Sequence, residues 1–62
     1  MQHYIEIPRA HAHVAHLWLE QNYYVQNRDY VFYPNVNSPM LGIDFTSDRI
    51  RVHFLSWFNL LQ

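Results

Sequence analysis

The sequence predicts an α+β fold in which one amphipathic helix packs on a small antiparallel sheet. Three observations predict it. Residues 2–7 (QHYIEI) alternate between two sides, residues 9–22 carry apolar side chains at helical spacing, and the rest holds short β-rich runs separated by turn-forming residues. The expected order is β-α-β-β-β-β within one domain, 1–62, since 62 residues suffice for one small domain and no more.

In the first strand, 2–7, His3, Ile5 and Ile7 lie on one side and Gln2, Tyr4 and Glu6 on the other. Pro8 ends it and suits the first turn of the helix that follows, 9–22. At about 100° per residue, Ala10, Val14, Leu17 and Trp18 share one flank, and Ala12, Ala15 and Leu19 widen the apolar arc. Arg9, His13, His16 and Glu20 fall within about 60° on the opposite side, while His11 points into the arc beside Ala15 and Trp18. The arc exceeds the ~100° stripe that contact with one sheet needs, so something besides the sheet is expected to cover it.

Asn22 fits the helix C-cap. Beyond it, strands near 23–26 and 30–33 flank the polar QNRD and read as a hairpin, with a helix overrunning to Val25 as the alternative. PNVNSP, 34–39, is a loop. MLGIDF and RIRVHF, on either side of TSD, read as a second hairpin with strands 40–46 and 50–56. Ile50, Val52 and Phe54 then face one way and Arg49, Arg51 and His53 the other. The apolar tail LSWFNLLQ is buried, either continuing that strand or forming a short final helix. The expected core is Ile5, Ile7, Val14, Leu17, Trp18, Ile43, Phe45, Ile50, Val52 and Phe54.

Half of the residues are hydrophobic and eleven are aromatic, which argues against disorder. The absence of cysteine excludes disulfides, thiolate zinc sites and cysteine nucleophiles. A formal charge of −1 speaks against a general polyanion binder. All four basic residues besides histidine are arginine, a residue that stacks and makes bidentate contacts, and no lysine guards the strand edges. The N-terminal MQHYIEIPR has no basic region followed by an apolar run, and no apolar stretch approaches the ~20 residues that span a bilayer. A soluble protein of the cytoplasm, without membrane contact, is expected.

HAHVAH, 11–16, poses the sharpest chemical question, because three histidines lie in six positions. On a helix His11 and His13 diverge, so they do not chelate. His13, His16 and Glu20 share a face and offer two imidazoles and a carboxylate, a ligand set suited to zinc or nickel. Arg9 on the same face repels a cation, so the reading preferred is a solvated polar face, with no cofactor and no metal. Ser38, Ser47 and Ser56 lack an elbow or glycine-rich setting and the single Gly42 builds no phosphate cradle, so no enzyme is expected. Arg49, Arg51 and the tyrosines form a possible nucleic-acid surface, opposed by the nearby Asp29, Asp44 and Asp48.

In size, lack of cysteine and helix-plus-sheet pattern, the chain resembles the small inhibitors encoded by bacteriophages, such as anti-CRISPR proteins. The resemblance implies a domain that acts by occupying another protein, and it transfers no functional residue. The expected function is a non-enzymatic protein-binding module that blocks a larger host complex, with a homodimer as a further possibility. Small nucleic-acid binding and histidine-based metal binding are the alternatives. Expected contacts are Tyr23, Tyr30, Tyr33 and Trp57 as exposed anchors, with Arg28, Arg49 and Arg51 for bidentate contacts to acidic groups.

Overall fold

The computed structural model describes residues 3–61. Strand β1 (Tyr4–Pro8) leads through a single 3-10 turn (Arg9–His11) into helix α1 (Ala12–Gln21). Strands β2 (Tyr30–Tyr33) and β3 (Met40–Phe45) follow, and helix α2 (Asp48–Leu61) completes the described chain. The sheet is antiparallel in the order β1-β3-β2, with Ile5 opposite Ile43 and Phe32 opposite Ile43 on the other side. An α+β fold with an antiparallel sheet is therefore what the chain adopts. Gln2, assigned to the first strand, and Gln62 lie outside the described residues.

Two expected strands are not strands. Residues 50–56 belong to α2, so the order is β-α-β-β-α and the second hairpin is absent from the described residues. Ile50, Phe54 and Phe58 recur every four residues and are all buried, a helical stripe that coincides over 50–54 with β alternation. The TSD segment starts this helix rather than turning a hairpin. Ser47 Oγ accepts the Ile50 N–H at 3.3 Å, a helix N-cap, and Asp48 places a carboxylate at the positive end of the helix dipole. Arg51 then donates to Asp48 Oδ1 through Nε at 2.8 Å and Nη2 at 2.5 Å, one turn along. Residues 23–26 likewise form no strand: Tyr23 ends the turn that closes α1, and a single Gln26–Tyr30 bridge joins the segment to the sheet.

The core lies between one face of the sheet and both helices: Ile7, Leu41, Ile43, Phe45 and Tyr30 from the sheet meet Ala15 and Leu19 of α1 and Ile50, Phe54 and Phe58 of α2. α2 covers only one side of the wide arc of α1, around Trp18, and Ala10, Val14 and Leu17 stay exposed. Trp18 stacks on Trp57 at 4.9 Å between ring centroids and meets Phe54 edge-on at 5.7 Å, and His11 stands edge-on to Phe58 at 5.7 Å. Trp18 thus meets the middle of α2 and the preceding His11 a residue nearer its C-terminal end.

The rotation of α1 about its axis corrects the expected core. Ala12, Ala15 and Leu19 turn to the sheet and Trp18 and His11 to α2, which leaves Val14 and Leu17 exposed. Val52 is 51 % exposed, because a helix sends it away from Ile50 and Phe54 where a strand would align all three. Arg9 anchors the β2–β3 loop: its guanidinium donates to the carbonyls of Asn35 and Ser38, and its N–H donates to the Pro39 carbonyl at 2.7 Å.

This arrangement is checked by two truncations in urea denaturation. Phe58→Ala should cost about 3–5 kcal/mol, since it removes a buried ring and leaves a cavity. Val52→Ala should stay within about 0.5 kcal/mol of the parent, as exposed positions do. A large loss from Val52→Ala would instead support the strand.

Candidate functional site

The chain from Glu20 to Tyr30 is built from hydrogen bonds that close a helix and then a turn. Asn22 is the C-cap of α1, its N–H and its side-chain amide both donating to the Trp18 carbonyl at 3.1 and 2.9 Å. The Tyr23 N–H donates to the Glu20 carbonyl and the Tyr24 N–H to the Leu19 carbonyl, each at 3.0 Å. This is the paired hydrogen-bond pattern in which the first residue past the cap adopts a left-handed backbone and is usually glycine. Here that residue is Tyr23, with φ 64°. A bulky side chain in this region costs on the order of 1–2 kcal/mol.

The next turn closes on Asp29. Its carboxylate accepts the Val25 N–H at 2.8 Å, while its own N–H donates back to the Val25 carbonyl at 2.8 Å. Arg28 adds charge-assisted bonds to the same carboxylate oxygen, through Nη2 at 2.9 Å and Nε at 3.2 Å. The Arg28 bonds first, and then the Val25 N–H, hold the Asp29 carboxyl below its ordinary pKa. Asn27 takes the second left-handed position, φ 70°, which asparagine tolerates, and its N–H donates to the Tyr30 carbonyl at 2.8 Å. Thr46 fastens the turn to the end of β3 by donating its N–H and hydroxyl to the Asp29 carbonyl, at 3.0 and 3.2 Å. Tyr24 fastens it to both helices: its ring lies 6.2 Å from Trp18, and its hydroxyl is hydrogen-bonded to His53 Nδ1 at 2.7 Å.

The result is an open groove of about 680 Å3 between α1 and this turn. His16 and Glu20 form its helical wall, 3.3 Å apart between Nε2 and Oε1, with Tyr23, Val25 and Arg28 on the loop side and Tyr30 among the residues lining it. Tyr23 is 86 % exposed and Val25 is also exposed, so the groove carries apolar side chains that the fold leaves uncovered. Tyrosine and arginine both line the groove, residue types in which protein interfaces are generally enriched.

Of the expected contact residues, the structure brings Tyr23, Arg28 and Tyr30 to this groove. Tyr30 is 1 % exposed and belongs to the core, so it is not the exposed anchor expected; burial, then the nearby Glu20 and Asp29 charges, raise its hydroxyl pKa. The others lie on separate elements: Tyr33 on β2 beside Tyr4, Arg49 exposed on α2, Arg51 bonded to Asp48, and Trp57 half-buried against Trp18. Val25 and the organising role of Asp29 were not foreseen. An aspartate four residues after Val25, just beyond the helix cap, is the available signal, but it is a local turn pattern that many sequences share.

Within the described residues no group of three or more histidine, aspartate or glutamate side chains is placed to hold a metal ion. His16 turns one ring edge to Phe32, 5.8 Å away, and pairs with Glu20, while His13 is exposed. No described helix is long and apolar enough to cross a membrane. Fold and groove together define a small α+β protein with an open groove rimmed by exposed aromatic and aliphatic side chains. Comparison with protein families, curated proteins and solved structures returned no match for the chain.

The Asp29 bonds imply a pH dependence of definite sign. A carboxyl whose folded pKa lies below its unfolded one stabilises the fold above the ordinary aspartate pKa, about 3.9, and loses that contribution as pH falls through the folded value. The stability difference between the parent and Asp29→Asn should therefore be largest above about pH 5 and shrink on acidification. Urea titrations between neutral pH and strong acid measure it, and a difference that does not change with pH would contradict the assignment.

Proposed function

We propose that the chain is a non-enzymatic protein-binding module whose primary contact surface is the groove rimmed by Tyr23, Val25 and Arg28. The observation that carries this reading is Tyr23. Its backbone sits where glycine is favoured, and its ring is almost wholly exposed, so neither feature benefits the isolated fold. A partner that buries the ring supplies the missing compensation. The loop is already fixed by Asp29, Thr46 and Tyr24, which lowers the entropy lost on docking.

The arginines support a protein partner over a nucleic acid. Among the described residues, Arg9 is bonded to two loop carbonyls, Arg28 to Asp29 and Arg51 to Asp48, so only Arg49 has no such bond. Phosphate binding scales with the number of cations available, and one leaves little affinity. In its finer form the proposal is a phage-type inhibitor, anti-CRISPR or other anti-defence, that acts in the host cytoplasm by sterically occupying a larger host complex. The resemblance in size, absent cysteine and element pattern supports that form.

A single substitution separates stability from binding. Tyr23→Gly should raise folding stability by up to about 1 kcal/mol, because glycine fits the left-handed position. It should also weaken partner capture by roughly 30-fold, the loss of one interface anchor worth about 2 kcal/mol. Nuclease-treated lysates of bacterial hosts, captured on the parent and on the glycine variant, provide the measurement. Equal capture by both, or capture only of nucleic acid that vanishes with nuclease, would overturn the proposal.

A further inference from the structure

Both helices pack on one face of the sheet, and the opposite face has its own character. Across β1-β3-β2 its outward rows read Tyr4, Asp44, Val31 and then Glu6, Gly42, Tyr33. Tyr4 leans across the sheet onto Gly42: a Cβ at position 42 would lie 2.7–2.8 Å from the Cε1 and Cζ atoms of that ring. A side chain at position 42 would push the Tyr4 ring off the strand, and with glycine there Tyr4 lies over the β3 backbone. The Tyr4 hydroxyl donates to Glu6 Oε2 at 3.1 Å, and the ring lies 6.3 Å from Tyr33 at an angle of 53°. The two rings remain 38 % and 41 % exposed.

The charges on this face are of one sign. Glu6 and Asp44 form no ion pair among the described residues, and neither row carries a basic side chain. A tilted tyrosine pair flanked by two carboxylates offers a cation the negative faces of two rings together with counter-charges. A second copy of the chain presented face to face would oppose carboxylate to carboxylate, and a nucleic acid would oppose phosphate to both.

We propose that this open face of the sheet is a second interaction surface, which takes an arginine or lysine side chain from a basic segment of a partner protein against the Tyr4–Tyr33 pair, with Glu6 and Asp44 as its counter-charges. It is independent of the Tyr23 groove, which is built from α1 and the turn before β2.

The test is an amide NMR titration of the full chain with an acetylated, amidated Gly-Arg-Gly-Arg-Gly peptide and with its glutamine counterpart. Saturable shifts at Glu6, Gly42, Asp44 and Tyr33 are expected with the arginine peptide and not with the glutamine one. The Glu6→Gln/Asp44→Asn double variant should bind roughly three- to tenfold more weakly, the range of exposed charge contacts acting with a cation–π pair. Tyr33→Leu should weaken binding too, and the spectra of the free variants verify the fold. Tyr23→Gly should leave the titration unchanged, so this proposal and the groove fail separately. Absent shifts on this face, equal binding by the double variant, shifts centred on Glu20 and Asp48, or concentration-dependent shifts without peptide would each overturn it.

Discussion

The stack of Trp18 on Trp57 is the contact on which the rest of this molecule depends. A chain of this length without cysteine must hold itself together by packing, and its three-stranded sheet buries only one face. Trp18 turns that limit into a second layer. It lies against Trp57 and Phe54 of α2, 4.8 Å from the His53 ring and 6.2 Å from Tyr24. Offset and edge-on aromatic contacts of this kind contribute beyond the area they bury. Because Trp18 also supplies the carbonyl that the Asn22 cap uses, one residue fixes the helix pair, the end of α1 and the position of Tyr24. With Tyr24 drawn inward to His53, its neighbour Tyr23 is turned outward.

The histidines take distinct places in this frame. His11 and His53 serve as aromatic rings in the seam between the helices, against Phe58 and against Trp18 and Tyr24, while His16 lines the groove and pairs with Glu20. The HAHVAH run is thus divided by helical geometry into one side chain that packs inward and others at the polar surface. The acids divide in a similar way. Asp29 and Asp48 are structural, closing a turn and opening a helix, whereas Glu6 and Asp44 are left on the free face of the sheet.

What could be read in the sequence follows from how local each signal is. Strand β1, helix α1 with its Asn22 cap, and strands β2 and β3 are each specified by a pattern within a few residues; the strands end within one or two residues of those patterns, whereas the helix expected from residue 9 opens as a 3-10 turn and α1 itself begins at Ala12. Helix α2 was misread because Ile50, Val52 and Phe54 satisfy the period of a strand, and only Trp57, Phe58 and the Ser47 cap distinguish the helix. The end of α1 was obscured for a different reason: tyrosine stands where glycine would have announced the turn, and YYV has high β propensity. At the site, arginine and tyrosine identities suggested recognition, but their assignment to one surface required long-range packing. Tyr30 is the clear case, since nothing near it in sequence marks it as the tyrosine that the core takes.

The central claim is that the left-handed turn at Tyr23 is part of the free protein's stable structure and not one conformer of a loose loop. Native-state amide hydrogen exchange at Tyr23 and Tyr24, whose N–H groups donate to Glu20 and Leu19, tests this most directly. Protection of both amides comparable with that of the core residues of α1 is the result this account requires. Exchange of both at the rate of an unstructured peptide, while Leu19 stays protected, would contradict it.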